Sequence, residues 1–163
     1  IAIVGDGAFQ MNGMNELITV RRYAERFEGK PALVVCIFKN QDLNQVTWEQ
    51  RALTGDPKYP GSQWIPDFPY ARYAELLGFE GIYCDDGEAV GSAWDQALAA
   101  GRPCVLDVKV DPEIPPLPPH ITVEQAKKMA KAMVKGDPER VGVIEKSLLG
   151  KLAEFKESLA GRK

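Results

Sequence analysis

Apolar and polar residues fall into alternating blocks along the first 110 positions. Ile1–Gly5 is a short apolar, β-branched run of the kind found in buried strands. From Asn12 to Glu28, the residues Met14, Leu17, Ile18, Val20, Tyr23, Ala24 and Phe27 recur at helical spacing, and Gly29-Lys30-Pro31 stops that helix. Residues 32–38 are continuously apolar, which predicts a central parallel strand covered on both faces. Residues 41–66 carry no clear period and contain the turn signals Thr54-Gly55-Asp56-Pro57 and Tyr59-Pro60-Gly61, which predict a long loop.

A helix is expected from Asp67, as N-cap, through Tyr70, Tyr73, Ala74, Leu76 and Leu77 to Gly78. A strand follows at Gly81–Cys84. Asp86-Gly87-Glu88 opens another helix, with Val90, Ala93, Trp94, Ala97 and Leu98 on one face. Residues 103–110 read as a further strand. Strand and helix thus alternate from residue 1 to 110, which predicts an α/β fold. It should be a three-layer parallel sheet with helices on both faces.

Residues 111–119 break the pattern. They are rich in proline and predict an extended, semi-rigid arm. Two helices are expected beyond it, at about 123–135 and 139–159, forming a C-terminal helical extension. In the second, Val141, Ile144, Leu148, Leu152, Phe155 and Leu159 make an apolar stripe expected to pack on the body of the protein. The expected division is therefore an α/β domain over 1–110 and an arm with helices over 111–163.

Length and composition narrow the classes. The chain has 163 residues and is 45% hydrophobic, enough for one cored domain and too apolar for a disordered chain. A net charge of −3, from 20 basic and 23 acidic side chains, leaves no basic footprint for nucleic acid. The apolar runs are strand-sized, so no transmembrane helix is expected. Cys36, Cys84 and Cys104 all lie in apolar runs, which argues against disulfides and suits a reducing, cytoplasmic setting. The chain starts without methionine inside a strand-like run, which leads us to expect a piece of a longer polypeptide.

The candidate chemistry lies where strands end. In an open parallel sheet, ligands bind beyond the carboxyl ends of the strands. Gly5-Asp6-Gly7 occupies such an end and directly precedes a helical pattern. Glycines there admit a ligand to the backbone, and a helix N-terminus offers N–H groups to an anion. The carboxylate between them would repel a phosphate unless a cation intervened. Magnesium suits that position, because it takes hard oxygen ligands from one or two side chains plus phosphates. Asn40, at the end of the next strand, can add an amide oxygen. Each feature alone is also a common turn. Together they read as an anion-plus-metal site in an α/β domain.

Gly5-Asp6-Gly7-Ala8-Phe9-Gln10-Met11-Asn12, with Glu16–Tyr23 after it, resembles the diphosphate-binding domain of thiamine-diphosphate-dependent enzymes. The likeness is to the acetolactate synthase and pyruvate oxidase group. Asn40-Gln41-Asp42-Leu43 through Val46–Arg51, then Pro66-Asp67-Phe68 and Ala71–Gly78, continue it. The segment Ile114–Pro119 with Glu124–Lys127 is more like the end of pyruvate oxidases. The resemblance implies that Asp6 and the Asn40 side-chain oxygen bind Mg²⁺, with the Asp42 main-chain carbonyl as third ligand. It implies that Gly5, Gly7 and Ala8 lie against the cofactor, with the Gly7 and Ala8 N–H groups on its diphosphate. Trp48, Glu49 and Arg51 would border the substrate side.

The resemblance further implies decarboxylation of a 2-oxo acid such as pyruvate, and transfer of the remaining unit to an acceptor. No catalytic residue is expected in this chain. The glutamate that activates the cofactor would come from the pyrimidine-binding domain of a partner subunit, in a homodimer or homotetramer. Any FAD would sit in a domain absent from these residues. Three positions depart from the family pattern. Lys39 stands where an asparagine is usual. The Gly7–Asn40 interval is longer than usual, with the surplus expected around Arg26–Pro31. Leu43-Asn44-Gln45-Val46 replaces a glycine-methionine pair.

Other features carry less. His120, beside the polyproline arm, reads as a packing or capping residue. Asp85 and Asp86 read as turn and cap residues. Membrane contact by the last helix, as in some quinone-linked pyruvate oxidases, is the second reading of its apolar stripe; its mixed-sign polar face argues against it. Two rivals to the enzyme reading stay open. One is a non-catalytic cofactor-binding or oligomerisation domain of the same fold. The other is an unrelated nucleotide-binding α/β domain.

Overall fold

The structure is a computed structural model that describes residues 1–27, 33–114 and 122–160, with side chains through residue 150. It divides into two compact units. One comprises Ile1–Asp42 and Ile65–Val110, the other Leu43–Trp64 and Asp111–Lys163. The expected division had a single boundary at 110/111. The units share that boundary and add two more, because Leu43–Trp64 groups with the C-terminal segment.

The first unit is built on four parallel strands in the order β1-β2-β4-β3: β1 (Ala2–Gly5), β2 (Val34–Lys39), β3 (Glu80–Cys84) and β4 (Cys104–Lys109). Side chains alternate faces along each strand. Val35, Ile37 and Val105 face one way, into a core with Phe9, Leu17, Tyr70, Ala74 and Phe79. Val34, Cys36, Cys104, Leu106 and Val108 face the other, against Ala93 and Ala97. Helices therefore cover both faces, which explains why β2 and β4 read as unbroken apolar runs. The three cysteines are free and buried, as their apolar surroundings suggested, and burial pushes the Cys104 thiol up to about 11. β1 departs from expectation. It is an edge strand of this sheet, and Ile3 is 61% exposed.

Three helical stretches pack on the sheet. The first, α1, is α over Asp6–Ala8, π over Phe9–Gly13 and α again over Met14–Arg22. The second is α4 (Tyr70–Leu76) and the third α5 (Val90–Ala99); α2 and α3 belong to the other unit. The helix expected from Asn12 thus begins at Asp6. The π segment adds a residue to one turn, which shifts the apolar spacing and hides the first turns from a 3.6-residue period. Within it, Gly13 packs directly on Phe9. A β-carbon at Gly13 would fall within the Phe9 ring, and Phe9 is buried against Tyr70, ring edge to face at 5.6 Å. Gly13→Ala is expected to destabilise the protein by about 1–3 kcal/mol, despite alanine's better helix propensity. A fall in melting temperature checks this; an unchanged or higher one contradicts the packing.

Asp67 does not cap α4, whose N-cap is Pro69 with no side-chain bond. Asp86 does cap, accepting the Glu88 N–H at 3.0 Å before a 3₁₀ turn leads into α5.

The second unit is helical. It holds α2 (Asn44–Glu49), a π extension over Gln50–Thr54, α3 (Pro60–Gln63), α6 (Val123–Val134) and α7 (Arg140–Ala160). The predicted loop at 41–66 is therefore substantially helical. Again a π segment breaks the period, and Gly55 ends it at φ 72°, a left-handed conformation that suits glycine. Trp48, Ala132, Met133 and Val143 form the core. Thr122 and Gln125 make a reciprocal capping box that starts α6.

The apolar stripe expected to pack is not the buried one. Val141 is 72% and Leu148 59% exposed, while Val143 is 1% exposed. Asp137 enters the interior just before α7 and sets its rotation, so Val143 and not Val141 turns inward. The proline-rich stretch 115–119 and His120 lie outside the described residues, as does the greater part of the interval 26–31. So do the side chains of Leu152, Phe155 and Leu159. No described helix is long and apolar enough to cross a membrane.

Candidate functional site

The register of β1 and β2 builds the site. Gly5 pairs with Phe38, so both strands finish together and Asp6 emerges beside the Lys39-Asn40 turn. Gly5 is extended, with open space where a β-carbon would stand. Asp6 opens α1, where the first backbone N–H groups lack helical partners and the helix field favours negative charge.

Asp6 is 2% exposed, yet its carboxylate is well supplied with donors. Oδ1 accepts the Gly7 N–H at 3.0 Å. Oδ2 accepts the Asn40 N–H at 3.1 Å and the Gln41 N–H at 2.7 Å. Burial pushes the carboxyl above the usual range, and these backbone donors oppose that rise without cancelling it. Asn40 Oδ1 in turn accepts the Asp42 N–H at 3.1 Å, closing an Asx turn. Among the described residues, Gln41 is the one non-glycine at positive φ, 58°. Its N–H binds Asp6 and its carbonyl accepts the Ile65 N–H at 2.9 Å. A strained residue held from both sides beside a buried acid is a mark of a functional turn.

Of the residues singled out from sequence, the first unit brings together Gly5, Asp6, Gly7, Ala8, Asn40 and Asp42. Asp6, Gly7 and Asp42 are buried and Ala8 is exposed. Trp48, Glu49 and Arg51 lie in the second unit. There Trp48 is 3% exposed, with the Arg51 guanidinium 4.7 Å from its ring centroid, and Arg51 is ion-paired to Asp137 at 2.7 Å. Glu49 is exposed and accepts a hydrogen bond from Gln45 at 3.1 Å.

The sequence placed Tyr70 in a helix and Gln10 and Gln41 within the motifs, but gave none of the three a role at the site. Gln10 Nε2 donates to the Tyr70 hydroxyl at 2.7 Å and to the Pro66 carbonyl at 3.2 Å, tying α1 to the segment before α4. Burial pushes the Tyr70 hydroxyl up to about 12, so it stays protonated. These ties join residues far apart in sequence, and no local pattern carries them. A charged pair inside apolar runs, Lys39 and Asp107, was visible as a break in hydrophobicity.

A donor set of one carboxylate, one amide oxygen and a neighbouring main-chain carbonyl, on adjacent strand ends beside a helix N-terminus, fits a hard divalent cation with a bound phosphate. Among the described residues, no group of three or more His, Cys, Asp or Glu side chains could hold a metal ion. A site completed by phosphate oxygens needs none.

The fold and this strand-end turn define a parallel α/β domain with a candidate polar ligand site at its carboxyl edge. Comparison with known proteins gives the family. Residues 1–108 match the thiamine pyrophosphate enzyme family, C-terminal TPP-binding domain, and the chain belongs to it. It is 36% identical over 135 residues to YdaP of Bacillus subtilis (strain 168), named as a thiamine pyrophosphate-containing protein; the match covers 83% of this chain and 22% of that one. It is 33% identical over 127 residues to IlvB2 of Mycobacterium tuberculosis, named as an acetolactate synthase large subunit, covering 70% of this chain and 19% of that one. The chain thus spans about a fifth of the length of these relatives. A thiamine-diphosphate-dependent 4-hydroxybenzoylformate decarboxylase from Rhodococcus jostii RHA1 shares the fold. Its TM-score is 0.55 at 23% identity, covering 67% of this chain and 19% of that one.

Proposed function

We propose that the Asp6–Asn40 site binds the diphosphate of thiamine diphosphate through Mg²⁺, and that the complete protein decarboxylates a 2-oxo acid and passes the remaining unit to an acceptor. The observation that carries this reading is the buried Asp6 carboxylate, held by the N–H groups of Gly7, Asn40 and Gln41 where β1 and β2 end. Asp6 supplies the charge, the Asn40 side chain a neutral oxygen, and Asp42 its main-chain carbonyl. The Ala8 N–H, in the first turn of α1, is the backbone donor this reading assigns to the diphosphate, while the Gly7 N–H holds Asp6. The chemistry such a cofactor supplies is decarboxylation, with the cofactor as electron sink.

Within this reading the chain's own residues bind and orient. They contribute no general acid or base. The activating glutamate belongs to a pyrimidine-binding domain on a partner subunit, so the active unit is a homo-oligomer. The name of one relative, an acetolactate synthase, supports a pyruvate-type substrate, and that of another, a sulfoacetaldehyde acetyltransferase from Rhizobium meliloti (strain 1021) that is 28% identical over 122 residues, supports transfer of an acetyl unit. A substrate-side role falls to Glu49, whose carboxylate is exposed, ahead of Trp48 and Arg51, whose side chains are buried.

Calorimetry of the complete protein tests the reading. Thiamine diphosphate is expected to bind in the presence of Mg²⁺ and to be lost on chelation with EDTA. Binding that survives EDTA, or displacement by ATP or NAD, would sink it.

A further inference from the structure

Lys39, the residue that ends β2 immediately before Asn40, is 8% exposed. Its Nζ lies 3.0 Å from Asp67 and 3.7 Å from Asp107, and 4.9 Å from the centroid of the Tyr83 ring. Asp107 is on the neighbouring strand β4, 1% exposed, with Oδ1 lacking any hydrogen-bond partner. Asp67 is exposed. Four elements therefore meet on one ammonium group: the end of β2, the middle of β4, Tyr83 of β3 and the segment that leads into α4.

Ending a strand does not need a buried cation. Removing an ammonium group from water costs several kcal/mol, and close partners offset that only in part. An apolar residue here, with an apolar residue at 107, would pack at no such penalty. What the charges add is direction. Lys39 directly precedes Asn40, its carbonyl accepts the Val110 N–H at 3.0 Å and its ammonium group is held by Asp67 and Asp107, so both ends of the residue that starts the turn are fixed. Gln41 is the residue at φ 58°, and its N–H is the shortest donor to Asp6, at 2.7 Å.

We propose that Lys39 is a positioning residue for the strand-end site: its ion pairs with Asp67 and Asp107 hold the Lys39–Asp42 turn so that the Asn40 and Gln41 N–H groups stay aimed at Asp6, and thereby set the affinity for the divalent cation. This rests on the Mg²⁺–diphosphate reading of the site. Arginine could keep both pairs, and methionine could keep only the packing.

The test titrates Mg²⁺ into the complete protein at saturating thiamine diphosphate, following tryptophan fluorescence, with melting temperatures measured alongside. Absence of Mg²⁺-dependent binding in the unaltered protein would defeat the reading of the site itself, before any variant is compared. Given that binding, Asp67→Asn and the double variant Lys39→Met/Asp107→Leu are the informative changes. The first alters an exposed carboxylate, and the second strands no buried charge. Each should weaken Mg²⁺ about tenfold or more, as loss of a group that orients a metal ligand does. Melting temperatures should stay near that of the unaltered protein, and Lys39→Arg should retain most of the affinity. Unchanged Mg²⁺ affinity in both variants would overturn the proposal. So would a lower melting temperature with unchanged affinity, which assigns the cluster to stability alone.

Discussion

Asp6→Asn in the complete protein is expected to abolish Mg²⁺-dependent binding of thiamine diphosphate, weakening the cation by at least about 100-fold, about 2.7 kcal/mol. Two effects act together. The substitution removes the one carboxylate of the proposed donor set, and a hard cation depends on anionic oxygen. It also puts an amide NH₂ where a carboxylate oxygen now accepts N–H groups. Gly7, Asn40 and Gln41 all donate to Asp6, so either rotamer of asparagine sets donor against donor. The backbone turn and the ligand charge are therefore lost by one change. Because Asp6 is buried and its carboxyl is already raised above the usual range, neutralising it relieves a desolvation cost that offsets part of this clash, and the melting temperature of the cofactor-free protein should fall only modestly. Calorimetry with thiamine diphosphate and Mg²⁺, beside a thermal melt, reads both quantities. Retained binding would remove Asp6 from the site.

The second large effect concerns stability. Asp137→Ala is expected to cost about 3–5 kcal/mol, because it strands a buried guanidinium. Arg51 is fully buried. Nε and Nη2 donate to Asp137 at 2.8 and 2.7 Å, and Nη2 also donates to Glu139 at 2.9 Å. Asp137 accepts the backbone N–H groups of Lys58 and Glu139 as well, both at 2.9 Å. One carboxylate thus ties the segment before α7 to the π extension of α2 and to the turn before α3. Arg51 Nη1 already lacks a partner, so without Asp137 the guanidinium keeps Glu139 alone, through Nη2. The double variant Arg51→Met/Asp137→Leu should recover most of the loss, since it removes both charges together.

The same carboxylate predicts an acid limit. Burial alone would raise the Asp137 carboxyl, but the Arg51 guanidinium and the two N–H groups outweigh it and hold it below the ordinary 3.8. A depressed folded value means that the folded state binds the proton less readily than the unfolded one. The stabilisation is then complete above about pH 4–5 and is lost as pH falls through 3.8 toward the folded value. Urea unfolding at pH 7 and pH 3 should show the Asp137→Ala deficit shrinking in acid. A deficit independent of pH would mean that Asp137 acts by packing alone.

Much of the first unit was legible from the chain. β2 and β4 were readable because a strand covered on both faces must be apolar at every position, and Val34–Ile37 and Cys104–Leu106 are. The Gly5-Asp6-Gly7 and Asn40 sites were readable because each follows such a run. The region 41–66 was not. Its helices are short, one passes into a π segment, and their contacts are with α6 and α7, far along the chain. A π turn shifts the phase of a 3.6-residue pattern, so periodicity fails there for a geometric reason. α1 was shortened by the same cause at Phe9–Gly13.

Local sequence therefore determined the parallel α/β class, the strands that carry the site, and Asp6 and Asn40 as its candidates. Those properties depend on burial and turn chemistry, which act over a few neighbouring residues. Tertiary structure alone decided which partners close the site. Gln41 holds a left-handed turn because Asp6 and Ile65 grip its backbone from two distant segments. Lys39 is buried because Asp67 and Asp107, on two other elements, arrive beside it. Arg51, at the border of a motif, is withdrawn into a core by an aspartate 86 positions away. Pairings of this kind are set by where strands and helices end in space, and no spacing along the chain encodes them.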